Sequence, residues 1–203
     1  MFEKSISKNL NKVLPFIPSG VTLVAAVKSA TNEQIDELLK NKINNLGFNT
    51  AQHLLSVSAF IQDSMFHFIG HLQQNKIKKV VPVCDLVHSV DSVKLAKKIS
   101  EVAQKMNKVQ NILLQVKTDK EKEYGFNDVN IAYKEILNLP NINVNGLMTV
   151  PSPYVNPKYI YRNLRLLKDN LGLKDLSIGM SNDYRIAIEE GATIVRIGKM
   201  LFN

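Results

Sequence analysis

Short apolar runs of four to eight residues, rich in Val, Ile, Leu and Phe, punctuate the chain, and between them apolar residues recur every three or four positions. Runs of that length bounded by polar turns read as buried strands, and the 3.6-residue recurrence reads as amphipathic helix. Strands are predicted at 21–27, 46–49, 65–69, 86–90, 111–116, 144–150, 175–178 and 194–197, eight in all. Thr31 is a predicted N-cap for the segment TNEQIDELLK, which turns Ile35, Leu38 and Leu39 to one face. Residues 91–106 place Val93, Leu95, Ala96, Ile99, Val102, Ala103 and Met106 at helical spacing, with lysines on the opposite face. Helical patterns also fill 50–63, 128–139, 157–171 and 182–190.

Regular alternation of near-continuous apolar strands with helices predicts a parallel sheet covered on both faces. Eight such units predict an α/β fold of the (β/α)8 TIM-barrel type, one domain over residues 1–203, although roughly 200 residues is the lower limit for that architecture. An open doubly wound sheet has the same strand count and stands as the structural alternative. No repeat, linker or shift in composition marks a second domain, and the chain stops almost as soon as the eighth strand does.

Composition narrows the picture. A hydrophobic fraction of 45% fills a real core, and one cysteine, Cys84, forms no internal disulfide, which fits a reducing compartment. The net charge of +8 invites a nucleic-acid reading, but only four of the 26 basic residues are Arg and the lysines are scattered. That distribution reads as a solvated surface rather than a stripe tracking phosphates, so nucleic acid is not the expected partner. No apolar run reaches the ~18 residues of a membrane span. Lys4, Lys8 and Lys12 precede an apolar stretch as in a signal peptide, but Pro15, Pro18 and Gly20 interrupt it and Lys28 sits where small cleavage-site residues belong. The expectation is a cytoplasmic protein with no membrane partner, and a monomer, because no long apolar surface stripe is evident.

In a parallel barrel the chemistry gathers where the strands end. Lys28 directly follows VTLVAAV. It reads either as a lysine whose head reaches water or as a partly desolvated amine able to form a Schiff base with an aldehyde. LSIGMSND leads from a strand into a helix that Ser181 is placed to cap, with the free N–H groups of the first turn suited to an anion. In IVRIGK, Arg196 breaks an apolar run and must find an acceptor, and Gly198 permits close backbone approach to a ligand. If the barrel closes, these last two segments converge on a phosphate site. His67 reads as a hydrogen-bonded core histidine, and His53, His71, His88 and Cys84 have no metal-like spacing, so no metal site is expected. G-x-S-x-G, Walker A and G-x-G-x-x-G motifs are absent.

Taken together, VAAVKSA, HFIGHLQQNK, GLMTVPSP, LSIGMSNDYRIAIEEGAT and VRIGKMLF resemble, in the same order, the signatures of the YggS/PROSC family of pyridoxal phosphate homeostasis proteins. The resemblance implies a fold type III barrel related to the N-terminal domain of alanine racemase. It implies that Lys28 carries pyridoxal 5′-phosphate (PLP) as a Schiff base. It further implies that Ser181 and the backbone at Gly198 and Lys199 surround the phosphate, that Arg196 lies near the pyridine nitrogen, and that Asn49, Met148 and Met180 line the cofactor. The chain departs from the family at LGFNT, where Phe48 replaces an acid and Thr50 an aromatic, and at EKEYGF, which is one residue shorter. The N-terminal helix is also abbreviated.

The function implied is a protein that holds PLP and delivers it to PLP-dependent apo-enzymes without substrate turnover. A two-base racemase needs a second acid/base opposite the lysine, taken by racemases from an added β domain, and only seven residues follow Arg196. The enzyme alternative is a PLP-dependent racemase or lyase using Lys28 with a second base such as Tyr124. A basic RNA-associated protein is the other alternative.

Overall fold

The structure, a computed structural model, describes residues 6–118, 123–152 and 155–203. Lys4, Glu121, Lys122 and Pro153, which entered the readings above, lie outside the described residues.

Eight parallel strands form a closed barrel in sequence order. They are β1 (Thr22–Ala26), β2 (Asn45–Phe48), β3 (Met65–Phe68), β4 (Leu86–Val90), β5 (Gln110–Gln115), β6 (Ile142–Met148), β7 (Asp175–Ser177) and β8 (Ile194–Ile197). Closure rests on the pairing of β1 with β8, from Thr22 opposite Ile194 to Ala25 opposite Ile197, which rules out the open-sheet alternative. Each predicted strand has an observed counterpart. The largest offset is β6, which begins two residues before its predicted start. Asn143 and Asn145 hid that beginning by breaking the apolar run, and Asn143 Nδ2 donates to Asn111 Oδ1 on the neighbouring strand at 2.9 Å.

The helices are α1 (Ile6–Val13), α2 (Asn32–Lys40), α3 (Ala51–Ser58), α4 (Ile77–Val80), α5 (Val93–Lys105), α6 (Val129–Ile136), α7 (Pro157–Asn170), α8 (Tyr184–Glu189) and α9 (Lys199–Phe202). Thr31 caps α2 as expected: its hydroxyl accepts from Gln34 N while Gln34 Oε1 accepts from Thr31 N, a reciprocal capping box. Thr50, Ser92, Asp128 and Asn156 cap α3, α5, α6 and α7 through side-chain oxygens that accept from first-turn N–H groups, without the reciprocal bond. The last short helix is held from the other end of the chain, where Asn9 Nδ2 of α1 donates to Leu201 O at 3.1 Å.

Strand alternation divides the apolar residues between two cores. Leu23, Ala25, Leu46, Phe48, Val87 and Ile112 face outward into a shell shared with the helices. Val24, Leu86, Leu113, Met148 and Ile194 form a separate layer filling the barrel interior. The interior is therefore packed rather than an open channel. Among the described residues no helix is long and apolar enough to cross a membrane.

Candidate functional site

Lys28 lies in the turn just past β1 and is exposed. Ala25 and Val27 pack in the outer shell and Val24 in the interior layer, so the chain leaves the packed wall of the barrel at Lys28. Ala26 pairs with Gly47 of β2, and Val27 N donates to Gly47 O at 3.0 Å, which brings Asn49 level with Lys28. Gly70 closes the rim beside Asn49: a Cβ there would lie 2.2 Å from Asn49 O, so the β3 end packs directly on the β2 end.

On the other flank of Lys28 stands the end of β8. A Cβ on Gly198 would sit 2.9 Å from Ala26 O and 3.2 Å from Ala26 Cβ. The glycine thus lets the start of α9 lie against β1 two residues below the lysine. Ser181 does not cap α8, contrary to expectation. That helix starts at Tyr184 after Asp183, which makes no side-chain cap bond. Instead Ser181 Oγ accepts from Met200 N at 3.3 Å, joining the loop after β7 to the first turn of α9. The two segments predicted to converge do converge, through a different helix. Since Ser181 Oγ is an acceptor in that bond, its own proton is left for an incoming anion.

The turn between Ile178 and Asp183 is fixed from beneath. Gly179 has φ +85°, and a Cβ there would meet Ala187 Cβ at 2.5 Å. Asp183 Oδ1 accepts from Met180 N at 2.6 Å, and Asp183 Oδ2 accepts from the buried Tyr161 hydroxyl at 2.8 Å. Met180 therefore enters through its backbone, half-buried in the turn, whereas Met148 is buried in the interior layer. Lys199 is exposed in the first turn of α9.

Arg196 is buried at the level of Val24, and its acceptors come from β7 and from the residue just past β6. Nη1 donates to Ser177 O at 2.7 Å and to Ser177 Oγ at 2.5 Å, and Nη2 donates to Thr149 O at 2.8 Å. Three of its five N–H groups are thereby used among the described residues, and two remain for a ligand. Burial pushes the guanidinium down to about 10, opposed by Tyr161 and Asp183, so it stays a cation at neutral pH. Beyond Ser177 the polar contacts continue to His88, His67 and Asn45. His67 is thus the hydrogen-bonded core histidine expected, pushed down to about 4 by burial. Sequence reasoning missed Ser177, Thr149, His88, Tyr161 and Asp183 as supports of the site. The available signal was a polar residue at an inward position of an otherwise apolar strand, as in LVHSV and DLS.

Tyr124, in the segment after β5, stacks on His71 just past β3, with ring centroids 3.9 Å apart. Both rings line a cavity of about 310 Å³ with Asp91, Ser92 and Glu123. The Tyr124 hydroxyl is shifted up, first by its hydrogen bond with Glu123, which keeps it in the protonated phenol form at neutral pH. Among the described residues no cluster of three or more His, Cys, Asp or Glu side chains could hold a metal ion.

The chain is thus a closed parallel barrel with a lysine past β1, a polar loop past β7 and a buried arginine on β8. Residues 3–203 match the family described as alanine racemase, N-terminal domain. A pyridoxal phosphate homeostasis protein of Aquifex aeolicus is 39% identical over 194 residues, covering 89% of this chain and 85% of that one. Another, from Synechocystis, is 32% identical over 217 residues, covering 100% of this chain and 98% of the relative. PipY of Synechococcus elongatus, solved with PLP bound, superposes with TM-score 0.92 at 28% identity, covering 98% of this chain and 100% of PipY. The chain belongs to the alanine racemase N-terminal-domain family and, within it, to the YggS/PROSC family of pyridoxal phosphate homeostasis proteins.

Proposed function

We propose that this protein binds PLP through a covalent link to Lys28, holds it, and passes it to PLP-dependent apo-enzymes without turning over a substrate. One juxtaposition carries the reading: Lys28, Gly198 and the Ser181–Met200 bridge meet at the junction of β1, β7 and β8, with Arg196 buried below. The residues fit the cofactor. An exposed amine suits its aldehyde, and a spare hydroxyl proton beside a side-chain-free backbone suits its phosphate. Two spare guanidinium N–H groups suit its ring nitrogen. Asn49, just past β2, would stand beside the amine, Met180 and Lys199 would frame the phosphate end, and Met148 would close the floor. The names of the relatives and the PLP in PipY support PLP as the ligand.

When bound, PLP supplies an electrophilic carbon and a ring able to withdraw electrons. The residues restrain the second capacity. Arg196 donates a hydrogen bond but keeps its proton, so the ring stays a weaker electron sink than one paired with a carboxylic acid. Tyr124, the residue considered as a second base, is stacked on His71 and hydrogen-bonded to Glu123. These features favour carrying over turnover, in a proposed cytoplasmic monomer whose expected mass is 22.8 kDa by sedimentation.

The test is a PLP titration followed by visible absorbance on wild-type protein and Lys28→Ala. Saturable yellow colour in the first and none in the second is expected; equal colour in both would reject the site. Incubation of the loaded protein with α-deuterated amino acids should leave the label in place. Lys28-dependent loss of deuterium to solvent would establish an enzyme instead.

A further inference from the structure

A packed barrel interior is ordinarily apolar, yet here a line of polar side chains crosses it. Arg196, Ser177, His88 and His67 are 5%, 0%, 0% and 4% exposed. Buried polar groups must be paired, so the position of each proton can be worked out in turn.

Arg196 has donors only. Its Nη1 donates to Ser177 Oγ at 2.5 Å, so the Ser177 hydroxyl must send its own proton elsewhere. The available acceptor among the described residues is His88 Nδ1, at 2.9 Å. His88 Nδ1 is therefore unprotonated, and the neutral ring carries its proton on Nε2, which donates to His67 Nδ1 at 2.9 Å. By the same logic His67 is protonated at Nε2 and donates to Asn45 Oδ1 at 3.0 Å. The Asn45 amide is oriented independently, since its Nδ2 donates to Asn44 Oδ1 at 3.2 Å.

The opposite order fails at both ends. It leaves the Ser177 proton with no acceptor and turns a bare His67 Nε2 toward the Asn45 carbonyl oxygen. A second proton on either ring is opposed by burial and, at His88, by the charges of His67 and Arg196.

We infer that Ser177, His88 and His67 form a one-way hydrogen-bond chain from Arg196 to Asn45, with both imidazoles neutral and protonated at Nε2, which locks the guanidinium in one orientation. His88 and Ser177 are then positioning residues for Arg196. Their effect on the cofactor rests on the proposed placement of Arg196 at its ring nitrogen, whereas the chain itself exists without any ligand.

Two measurements separate these levels. Long-range ¹H–¹⁵N NMR of ligand-free protein at pH 7, assigned with His67→Gln and His88→Gln, should show both rings as neutral Nε2–H tautomers. An Nδ1–H tautomer or a charged ring at either position would overturn the chain. Next, wild type, His88→Gln and His88→Leu are loaded with PLP and compared for visible absorbance maximum and release rate. Glutamine can accept from Ser177 and donate to His67, and leucine can do neither. The leucine variant should release PLP roughly three- to tenfold faster with a shifted band, while glutamine behaves as wild type. Identical behaviour of all three overturns the positioning role. If His88→Leu does not fold, Ser177→Ala is read in the same way. Wild-type protein that takes up no PLP on Lys28 sinks the cofactor reading and leaves the tautomer result to decide the chain.

Discussion

Ser181 shows how one side chain can be legible in kind and misread in detail. Its hydroxyl next to a glycine-bearing turn pointed correctly to the β7–β8 junction, but the capping role was wrong, because Asp183 and Tyr161 hold that turn and free Ser181 for α9. Ser181→Ala should weaken PLP retention by about 1–3 kcal/mol, the range of a charge-assisted bond, as read by equilibrium dialysis. An unchanged affinity would remove Ser181 from the phosphate end. Cys84 is the contrasting case of a reactive type made inert. Its thiol donates to Phe66 O and Leu86 O, and burial pushes it up to about 12. Alkylating reagents should modify Cys84 only in denatured protein; rapid labelling of the native fold would contradict its burial.

At the scale of elements, the β1–β8 seam matters most, because it sets Lys28 beside the start of α9. Gly198→Ala should cost about 1–3 kcal/mol in urea unfolding, since its Cβ would press on Ala26 O at 2.9 Å. It should also weaken PLP binding by opening the seam. A variant as stable as wild type would show that the seam tolerates a side chain. The strands themselves were readable, because VTLVAAV, LVHSV and IVRI are short, apolar and bounded by polar turns. Closure was not readable, because nothing local to Thr22 announces that Ile194 is its partner. The short α9 was equally hidden: four residues are too few to display a helical period. The chain of contacts behind Arg196 was invisible for the same reason, since His88 and Ser177 meet only once β4 and β7 face each other across the closed barrel.

Over the whole molecule, the buried histidines tie stability to pH. His67 titrates at about 4 when folded against an ordinary value of 6.5, and His88 is shifted in the same direction. Between those values the unfolded chain binds more protons than the folded one, so stability rises with pH and is lost on acidification through that window. The slope should be roughly 1 kcal/mol per pH unit for each histidine, seen in urea midpoints taken from pH 7 to pH 4. His67→Gln and His88→Gln combined should flatten it; an unchanged slope would assign it to the carboxylates. The net charge of +8 does not bear on this argument, because scattered surface lysines are screened by salt and the two rings are buried.

The account stands on the Lys28 amine as the point of attachment. Borohydride reduction of the PLP-loaded protein, followed by peptide mapping, should place the whole of the reduced adduct on Lys28. An adduct on Lys199 or any other lysine, with Lys28 unmodified, would contradict it.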